Sequence, residues 1–412
     1  MENTQTLSYP KDKIKILLLE GIHQSAVDMF NEHDYVNIET HSKAWDEQKL
    51  LENIHKYHVI GIRSKTHITQ KVVKKADNLL AIGCFCIGTN QVDLEAATKA
   101  GITVFNSPYS NTRSVAELVI AETVMLMRRI PERNAAAHEG YWLKDNERSY
   151  EIRGKKIGII GYGHIGSQVS VLAENMGLDV FYYDIEPKLP MGNATRLESL
   201  DELLDISDIV TLHVPATPET EMMMNADKLS KMKEGSILLN LSRGSVVNLE
   251  ALREKLESNH LSGAAIDVYP TEPKSKGGKL KTSLKGIKNT ILTPHIGGST
   301  IEAQFNIGKE VSKKIVNMID IGTTVGSQTV PPLNLPIQKD AHRILHIHHN
   351  KAGVLSEINQ KLSDMQINIL GQYLKTNELI GYVVLDIDRQ NNDEVMKAMK
   401  SVKHTIKTRI LY

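Results

Sequence analysis

The chain has 412 residues, too many for one ordinary hydrophobic core, so two or three domains are expected. Because 49 basic residues balance 49 acidic ones, the composition gives no sign of a surface for nucleic acid or membrane. No apolar stretch approaches the roughly 20 residues of a bilayer-spanning helix, and the first residues lack the pattern of a signal peptide. These features predict a cytoplasmic protein that binds neither nucleic acid nor membrane.

The first hundred or so residues alternate between short apolar strands and helices. We predict strands at residues 14–19, 59–63, 79–83 and 103–106, with helices at 25–32 and 94–99. This alternation is typical of a parallel sheet with crossover helices. The two cysteines, Cys84 and Cys86, are two residues apart, where strand geometry points both side chains the same way. A reduced pair fits a cytoplasmic protein, whereas a zinc site would need further ligands.

A long apolar helix is predicted from residue 112 to about 129, and Ser114 and Glu117 have the spacing of a capping box at its start. A second β/α series follows, with strands at residues 157–160, 179–183, 209–213, 236–241, 264–268 and 290–292. Six strands with crossover helices form a complete dinucleotide-binding sheet of the Rossmann type.

The turn after the first strand of this series contains Gly161, Gly163 and Gly166. In a dinucleotide-binding fold, such glycines permit a tight turn, let the backbone approach a pyrophosphate and allow close helix packing. Asp184 closes the next strand, where a carboxylate binds ribose hydroxyls and repels a 2′-phosphate, so the pattern predicts NAD. A glycine run alone also fits a tight turn that binds no ligand. Because about 150 residues precede this turn, another structural unit must come first.

Three polar segments follow successive strands of the second series. Arg243, Glu272 and His295 each lie in one of them, at the edge where parallel strands end and ligands bind. An arginine can bind a carboxylate, a histidine can exchange a hydroxyl proton, and a carboxylate can orient the imidazole. Taken singly, they fit a surface cap, a solvated loop carboxylate and a buried core histidine. Their common placement favours a catalytic set.

The C-terminal part of the chain changes character. A helix at 300–320 and an extended linker at 322–336 precede a strand at 343–348, a helix at 353–363, strands at 367–374 and 380–386, a helix at 392–400 and a strand at 405–411. The order βαββαβ predicts a ferredoxin-like sandwich. A histidine cluster at positions 342, 346, 348 and 349 suggests a metal, but no cysteine or carboxylate completes a ligand set, so we predict none.

Together these motifs resemble the D-isomer-specific 2-hydroxyacid dehydrogenases, and most closely the members with a C-terminal ACT domain. Segments 83–90, 110–117 and 409–412 extend the resemblance over nearly the whole chain. It implies an α/β fold in which a Rossmann-type NAD domain is inserted into a flavodoxin-like substrate domain, followed by a ferredoxin-like ACT domain. The implied parts are residues 1–109 (substrate domain), 110–297 (NAD domain), 298–335 (return segment and linker) and 340–412 (ACT regulatory domain).

The resemblance also implies roles for individual residues. The implied catalytic residues are Arg243, Glu272 and His295, with His295 as proton donor and acceptor. The implied NAD contacts are Gly161, Gly163, His164, Ile165, Gly166, Asp184, Leu241, Ser242, Asp267, Gly297 and Gly298. The implied substrate contacts are Arg63, Ser64, Lys65, Asn111 and Lys144, the last in a neighbouring subunit's site. The implied effector contacts are His348 and Asn350 of one chain and Asn368 of another.

The reaction implied by the resemblance is NAD-dependent oxidation of 3-phospho-D-glycerate to 3-phosphooxypyruvate, the first step of L-serine biosynthesis. L-Serine is the implied feedback inhibitor, a homotetramer the implied assembly, and reduction of 2-oxoglutarate an implied side activity. Arg63 and Lys65, at i and i+2 of a strand end, can hold one phosphate between them. Relatives often have arginine at both positions, and lysine offers a point charge in place of a fork. Lys339 and Asp340 stand where some relatives have a flexible Gly-Gly hinge.

Two other functions fit the same motifs. A glyoxylate or hydroxypyruvate reductase would use the same scaffold, although Arg63, Lys65 and the ACT domain favour a phosphorylated substrate. An NADH-sensing binding protein would keep the cofactor motif without turnover. Assays with phosphorylated and unphosphorylated substrates separate these alternatives.

Overall fold

The computed structural model describes residues 9–273, 277–338, 341–388 and 392–411. The chain forms two compact units, the first made of Met1–Ser110 with Gln304–Tyr412 and the second of Asn111–Ala303. The four-part division predicted from the sequence, with borders at 109/110 and 297/298, stays a prediction. Its hinge residues Lys339 and Asp340 lie outside the described residues. Within the described part of the chain, no helix is long and apolar enough to cross a membrane.

A five-stranded parallel sheet forms the N-terminal part of the first unit. Its strands are β1 (Ile16–Leu18), β2 (Ile38–Thr40), β3 (Val59–Ile62), β4 (Ala81–Cys84) and β5 (Thr103–Asn106). Its helices are α1 (Gln24–Asn31), α2 (Glu47–Asn53), α3 (Gln70–Val73) and α4 (Leu94–Lys99). The order β2-β1-β3-β4-β5 is flavodoxin-like and confirms the predicted fold. Sequence analysis missed β2 because this edge strand is short and largely exposed, with no buried apolar run.

The second unit contains a seven-stranded parallel sheet. Its strands are β6 (Lys156–Ile160), β7 (Asp179–Tyr183), β8 (Thr195–Arg196), β9 (Ile209–Leu212), β10 (Ile237–Asn240), β11 (Gly263–Ile266) and β12 (Thr290–Leu292). Its helices are α5 (Thr112–Met127), α6 (Ile130–His138), α7 (His164–Asn175), α8 (Leu200–Ile206), α9 (Ala226–Lys231) and α10 (Leu249–Glu257). The order β12-β11-β10-β9-β6-β7-β8 reverses direction at β6, as in a Rossmann fold. The two-residue strand β8 adds a seventh to the six predicted strands.

Helix α5 starts without the predicted capping box. It begins at Thr112, so Ser114 already lies inside the helix and is not its N-cap residue. The Ser114 hydroxyl forms a 2.8 Å hydrogen bond with the Thr300 hydroxyl, and Glu117 accepts one from Arg113 at 2.6 Å. The prediction was wrong because a tertiary contact and a helical ion pair engage these two side chains.

The C-terminal segments of the chain return to the first unit and complete it. They are α11 (Ile301–Asp320), of which all but the first residues belong to this unit, then β13 (His342–His349), α12 (Val354–Asp364), β14 (Ile369–Thr376), β15 (Ile380–Ile387), α13 (Asn392–Lys400) and β16 (Thr405–Ile410). The antiparallel order β14-β15-β13-β16 confirms the ferredoxin-like fold. Ile344 on one face of this sheet packs in the same core as both ACT helices. Leu345 and Ile347, on the other face, pack with Val330 and Leu335 of the preceding linker.

Candidate active site

β6 ends in a glycine turn that leads into α7, and the surroundings of its three glycines differ. Gly161 has a φ of 90°, and a Cβ there would lie 2.5 Å from the carbonyl oxygen of His213. A Cβ on Gly166 would lie 2.1 Å from the carbonyl oxygen of Gly161, so this close packing requires glycine. A Cβ on Gly163 would meet no atom of the chain within 4 Å, apart from its neighbours. The backbone is therefore open at Gly163, directly before the N–H groups of α7, which begins at His164.

Asp184 follows β7, and its carboxylate is bound to the glycine turn. Oδ2 accepts a 2.7 Å hydrogen bond from the N–H of Tyr162, and Oδ1 accepts one of 2.9 Å from the N–H of Glu186. These bonds hold the half-buried carboxylate beside the turn, where the ribose of a dinucleotide binds in this fold. Ile165 is half-buried in the first turn of α7.

Arg243 lies in the segment after β10, which a buried asparagine holds in place. The Asn240 side chain is fully buried, and its Oδ1 accepts hydrogen bonds from the N–H and hydroxyl of Ser242 at 3.1 and 2.8 Å. Its Nδ2 donates to the Arg243 carbonyl at 3.0 Å. The guanidinium donates to the Ser242 carbonyl at 2.7 Å. Leu241 and Ser242 are buried, whereas Arg243, which follows them, is partly accessible.

Asp267 holds the segment that contains His295. Its carbonyl oxygen accepts a 2.8 Å hydrogen bond from the N–H of His295. Its buried carboxylate accepts one from the Thr293 hydroxyl at 2.6 Å, and 2.8 Å bonds from the N–H groups of Ile296 and Gly297. All these contacts stabilise the loop itself. The contact of Asp267 with NAD stays a prediction.

His295 and Glu272 form a close pair. The imidazole Nδ1 lies 3.0 Å from both carboxylate oxygens of Glu272, and Oε1 also accepts a hydrogen bond from the N–H of Tyr269 at 3.3 Å. His295 adopts a φ of 55°, a left-handed conformation that costs a non-glycine residue on the order of 1 kcal/mol. Because Nδ1 faces the carboxylate and the side chain is 52% exposed, Nε2 is left for a substrate.

The two glycines after His295 pack against buried polar residues. A Cβ on Gly297 would lie 3.0 Å from Oδ2 of Asp267, and one on Gly298 would lie 2.2 Å from Nδ2 of Asn111. Asn111 therefore lies beside this segment, as a substrate contact would require. Its buried Oδ1 has no hydrogen-bond partner among the described residues, so it can accept a hydrogen bond from a ligand.

The other predicted substrate residues belong to two other segments of the chain. Arg63, Ser64 and Lys65 follow β3 at the carboxyl edge of the sheet in the first unit. Across the part of the chain that the structure describes, neither the Arg63 guanidinium nor the Lys65 ammonium forms a hydrogen bond or an ion pair. Lys144 lies in an exposed segment after α6, next to Trp142, which is 86% exposed.

The predicted effector residues occupy two separate places on the ACT sheet. His348 is buried on β13, where its Nδ1 donates to the His349 carbonyl at 2.8 Å and its Nε2 has no partner among the described residues. Asn350 directly follows β13. Asn368 is exposed just before β14, which β15 separates from β13, so one chain does not bring it to His348. In the ranges that the structure describes, no group of three or more His, Cys, Asp or Glu side chains could hold a metal.

Comparison with known proteins assigns the chain to a family. The profile of the D-isomer specific 2-hydroxyacid dehydrogenase NAD binding domain matches residues 120–297, and that of the AHAS small subunit-like ACT domain matches residues 344–407. D-3-phosphoglycerate dehydrogenase of Escherichia coli (strain K12) is 52% identical over 408 residues, which cover 98% of this chain and 99% of that protein. The chain belongs to the D-isomer-specific 2-hydroxyacid dehydrogenase family.

Other relatives support the same family assignment. D-3-phosphoglycerate dehydrogenase of Dictyostelium discoideum is 50% identical over 407 residues, covering 99% of each chain. The crystal structure of the TT0316 protein from Thermus thermophilus is 31% identical, with a TM-score of 0.66 over 74% of this chain and 97% of that one. D-lactate dehydrogenase from Aquifex aeolicus, complexed with NAD and lactic acid, is 27% identical, with a TM-score of 0.63 over 74% of this chain and 95% of that one.

As a member of this dehydrogenase family, the chain is an oxidoreductase that uses NAD. Its own residues fit the cofactor: the open backbone at Gly163 suits the pyrophosphate, and the fixed carboxylate of Asp184 suits the ribose. When bound, NAD supplies the hydride acceptor for oxidation of a hydroxyl carbon. The predictions of NAD and of the dehydrogenase class are confirmed.

Sequence reasoning missed the residues that hold these segments in place. Asn240 is not among the predicted site residues, although its buried side chain holds Arg243. Glu20 and Gln91 were not singled out, although both bind the segment that contains Arg63. The only signal for Glu20 is its position directly after β1, at the edge where ligands bind in such sheets.

Proposed function

We propose that the chain oxidises 3-phospho-D-glycerate to 3-phosphooxypyruvate with NAD, the first step of L-serine biosynthesis. The observation that carries this proposal is the 52% identity, over almost the full length of both chains, with a protein named D-3-phosphoglycerate dehydrogenase. Two features of the chain agree with it. Arg63 and Lys65, whose charged groups have no partner among the described residues, can bind a phosphate, and the C-terminal ACT domain fits control by an amino acid.

The geometry around His295 suggests how its residues act on the substrate. Arg243 binds the carboxylate of the substrate through its forked guanidinium. Nε2 of His295 takes the proton of the C2 hydroxyl, while Glu272 at Nδ1 orients the ring and stabilises the imidazolium that forms. Asn111, with an unpartnered Oδ1, accepts a hydrogen bond from a substrate hydroxyl.

L-Serine is the effector that we propose for the ACT domain. The buried Nε2 of His348, which has no partner among the described residues, and the amide of Asn350 supply polar contacts at the end of β13. Asn368 of a second chain completes the site, since the fold keeps Asn368 away from His348 within one chain. L-Serine therefore binds between two ACT domains.

A homotetramer is the assembly that we propose. The segment after α6 exposes Tyr141, Trp142 and Leu143 together, at 64%, 86% and 52%. Such a contiguous apolar stretch is typical of a protein interface. Contact with a second NAD domain would cover it and place Lys144 near the neighbouring active site, while paired ACT domains form the second interface. We place the enzyme in the cytoplasm, in keeping with its two free cysteines.

Initial-rate assays of the purified chain test the proposal. We expect NADH-dependent reduction of 3-phosphooxypyruvate that L-serine inhibits, and slower reduction of 2-oxoglutarate as a side activity. Equal catalytic efficiency with hydroxypyruvate would instead indicate a glyoxylate or hydroxypyruvate reductase. NADH binding without any turnover would indicate a cofactor-sensing protein.

A further inference from the structure

The carboxylate of Glu20 binds the backbone of the segment that contains Arg63 and Lys65. Oε1 accepts hydrogen bonds from the N–H groups of Arg63 and Thr66 at 3.1 and 2.8 Å, and Oε2 accepts one from the N–H of Lys65 at 3.0 Å. Both oxygens are therefore occupied by residues 63–66. Hydrogen bonds to a charged acceptor are the stronger kind, and three of them fix the backbone of this short segment.

A second side chain holds the same segment from its carbonyl side. Nε2 of Gln91, which is 4% exposed, donates to the Arg63 carbonyl at 2.7 Å. The same nitrogen lies 3.2 Å from the carbonyl of Gly88 and 3.3 Å from the sulfur of Cys86. Thr66, at the end of the segment, is fully buried. The backbone is thus fixed on both sides, while no described residue engages the charged groups of Arg63 and Lys65.

The backbone at Glu20 is itself constrained. Glu20 has a φ of 64° and is followed by Gly21 with a φ of 63°, so two left-handed residues turn the chain directly after β1. Only glycine adopts this conformation without strain, and strained non-glycine residues concentrate at functional sites. The turn is held by hydrogen bonds from Leu19 N–H to the Gly61 carbonyl at 2.9 Å and from Gly21 N–H to the His41 carbonyl at 2.9 Å. This turn therefore sets the backbone position from which the Glu20 side chain extends.

A carboxylate near a phosphate site repels the phosphate, so its presence needs a reason. Here backbone N–H groups of residues 63–66 stabilise the carboxylate, and the cationic side chains extend from that same segment. Glutamine in its place would offer one oxygen for three donors and would set its own NH₂ against an N–H. Glu20 is therefore suited to its position by its two acceptor oxygens.

We propose that Glu20 is a positioning residue, which sets Arg63 and Lys65 at the spacing that the phosphate of the substrate requires. This inference rests on the proposed function, because it assigns the phosphate to Arg63 and Lys65. Lysine at position 65 makes a fixed backbone more important for phosphate binding. An ammonium lacks the fixed fork of arginine, so its placement depends on the backbone from which the side chain extends. Glu20 contacts neither substrate nor cofactor in this proposal.

Steady-state kinetics of the full-length enzyme test it, with 3-phosphooxypyruvate and hydroxypyruvate as the two substrates and NADH in both cases. Glu20→Gln should raise KM for 3-phosphooxypyruvate roughly 10- to 100-fold, as expected for the loss of one or two hydrogen bonds to a charged group. KM for hydroxypyruvate and for NADH should stay within about twofold of the parent values. Inorganic phosphate should inhibit the variant less than the parent.

Three further variants make the result decisive. Glu39→Gln is the matched control, because Glu39 also accepts side-chain hydrogen bonds beside the same sheet but lies away from segment 63–66. Arg63→Ala with Lys65→Ala tests the phosphate site itself. Glu20→Asp keeps the charge with a shorter reach, and replaces Glu20→Gln if the latter does not fold.

The outcomes separate the inference from the proposed function. An unchanged KM for 3-phosphooxypyruvate in Glu20→Gln, with a large rise in the Arg63 and Lys65 double variant, would overturn the positioning role alone. An equal rise of KM for both substrates in Glu20→Gln would also overturn it, because it would indicate a general loss of structure. No rise in the double variant would overturn the phosphate site and the inference with it.

Discussion

His295 shows how its neighbours fix the conformation of a single residue, here the proposed general base. Its strained φ of 55° persists because Asp267 binds the backbone on both sides of it. Glu272 then holds Nδ1, so the ring presents Nε2 in one orientation. A positioned general base contributes roughly 10²- to 10⁴-fold to a rate.

Substitution of His295 should therefore reduce turnover without unfolding the enzyme. We expect His295→Ala to lower kcat about 10²- to 10⁴-fold, with the dissociation constant for NADH largely retained. Rates with 3-phosphooxypyruvate and fluorescence titration of NADH measure the two effects. His138→Ala, at an exposed position of the same unit, is the control and should keep the parent rate. A near-normal kcat in His295→Ala would remove His295 from the mechanism.

Glu122 is a buried carboxyl that the proposed mechanism does not use. It is 2% exposed on α5, and neither oxygen has a hydrogen-bond partner among the described residues. Burial, with a smaller contribution from the charge of Asp267, raises its pKa from 4.5 to about 8. Between pH 4.5 and about 8, Glu122 is therefore protonated in the folded chain and ionised in the unfolded chain.

This proton makes stability depend on pH. Because the folded state holds more protons, the free energy of unfolding should fall as pH rises from 4.5 to about 8, by up to about 1.4 kcal/mol per pH unit. Glu122→Gln should match the parent near pH 5 and be more stable at pH 8. Thermal unfolding across this range measures the difference, and Glu117→Gln, on the same helix, should keep the parent's pH profile. Parallel curves for Glu122→Gln and the parent would contradict the assignment.

At the scale of residues, the sequence indicates candidate catalytic side chains better than the side chains that hold them in place. Arg243, Glu272 and His295 are predictable because their types suit the reaction and each follows a strand. Asn240 and Glu20 act through backbone groups that are remote in sequence or hidden in a loop, so neither spacing nor residue type reveals them. The buried, unpartnered Glu122 was equally invisible, since its position on an apolar helix carries no chemical signal.

At the scale of elements, the glycine turn between β6 and α7 separates steric from functional demands. The glycine at 166 is required by the fold, since a Cβ there would overlap the Gly161 carbonyl oxygen. The glycine at 163 has open space around it, so the fold alone would accept a side chain. The sequence predicted the turn as a whole, and the structure assigns a different reason to each glycine.

Two alanine variants test this division. Gly166→Ala should destabilise the unit by about 1–3 kcal/mol through overpacking, and so lower its melting temperature. Gly163→Ala should keep the melting temperature and weaken NAD binding about tenfold or more, equal to about 1.4 kcal/mol, because its Cβ would stand where the pyrophosphate approaches. Differential scanning fluorimetry and NADH titration distinguish them. Unchanged NADH affinity in Gly163→Ala would show that the pyrophosphate does not pass there.

The features that were missed or predicted wrongly have two physical causes. The strands β2 and β8 are short edge strands with exposed, polar residues, so no apolar run signals them. The capping box at Ser114 failed because a tertiary hydrogen bond engages its side chain. Buried central strands were predicted well, since burial on both faces leaves a continuous apolar sequence.

At the scale of the whole molecule, the two faces of the ACT sheet pack against different parts of the first unit. His346 and His348 lie on the face of β13 that the ACT helices cover, with their rings 5.7 Å apart. Leu345 and Ile347, on the opposite face, pack toward the linker, and Ile347 lies beside Gly101 of the N-terminal sheet region. One strand thus joins the proposed serine site to the flavodoxin-like part of the chain. The late position of the glycine run predicted a preceding structural unit, and the family resemblance implied an inserted domain, but no sequence pattern predicted this packing.

Lys407 forms a polar contact between the ACT sheet and the N-terminal sheet region. Its substitution tests whether this contact carries the effect of serine. Its Nζ donates to the Leu79 carbonyl, just before β4, at 2.7 Å, and burial lowers its pKa to about 8. Because Lys407 pairs with Ile347 of β13, next to His348 of the proposed effector site, it offers a route from that site to the N-terminal sheet. If serine acts by this route, Lys407→Met should leave kcat without serine within about twofold and keep serine binding, while the maximal inhibition falls.

The control for this experiment is Lys403→Met, an exposed lysine just before β16, which should behave like the parent. Inhibition curves with L-serine give the maximal effect, and calorimetric titration gives the serine affinity separately. Both measurements are needed because weaker binding and weaker coupling each shift an inhibition curve, but only weaker coupling lowers its plateau at saturating serine. Full inhibition in Lys407→Met would mean that the signal bypasses the Leu79 contact and reaches the active site through the apolar packing of Leu345 and Ile347 or through the partner subunits.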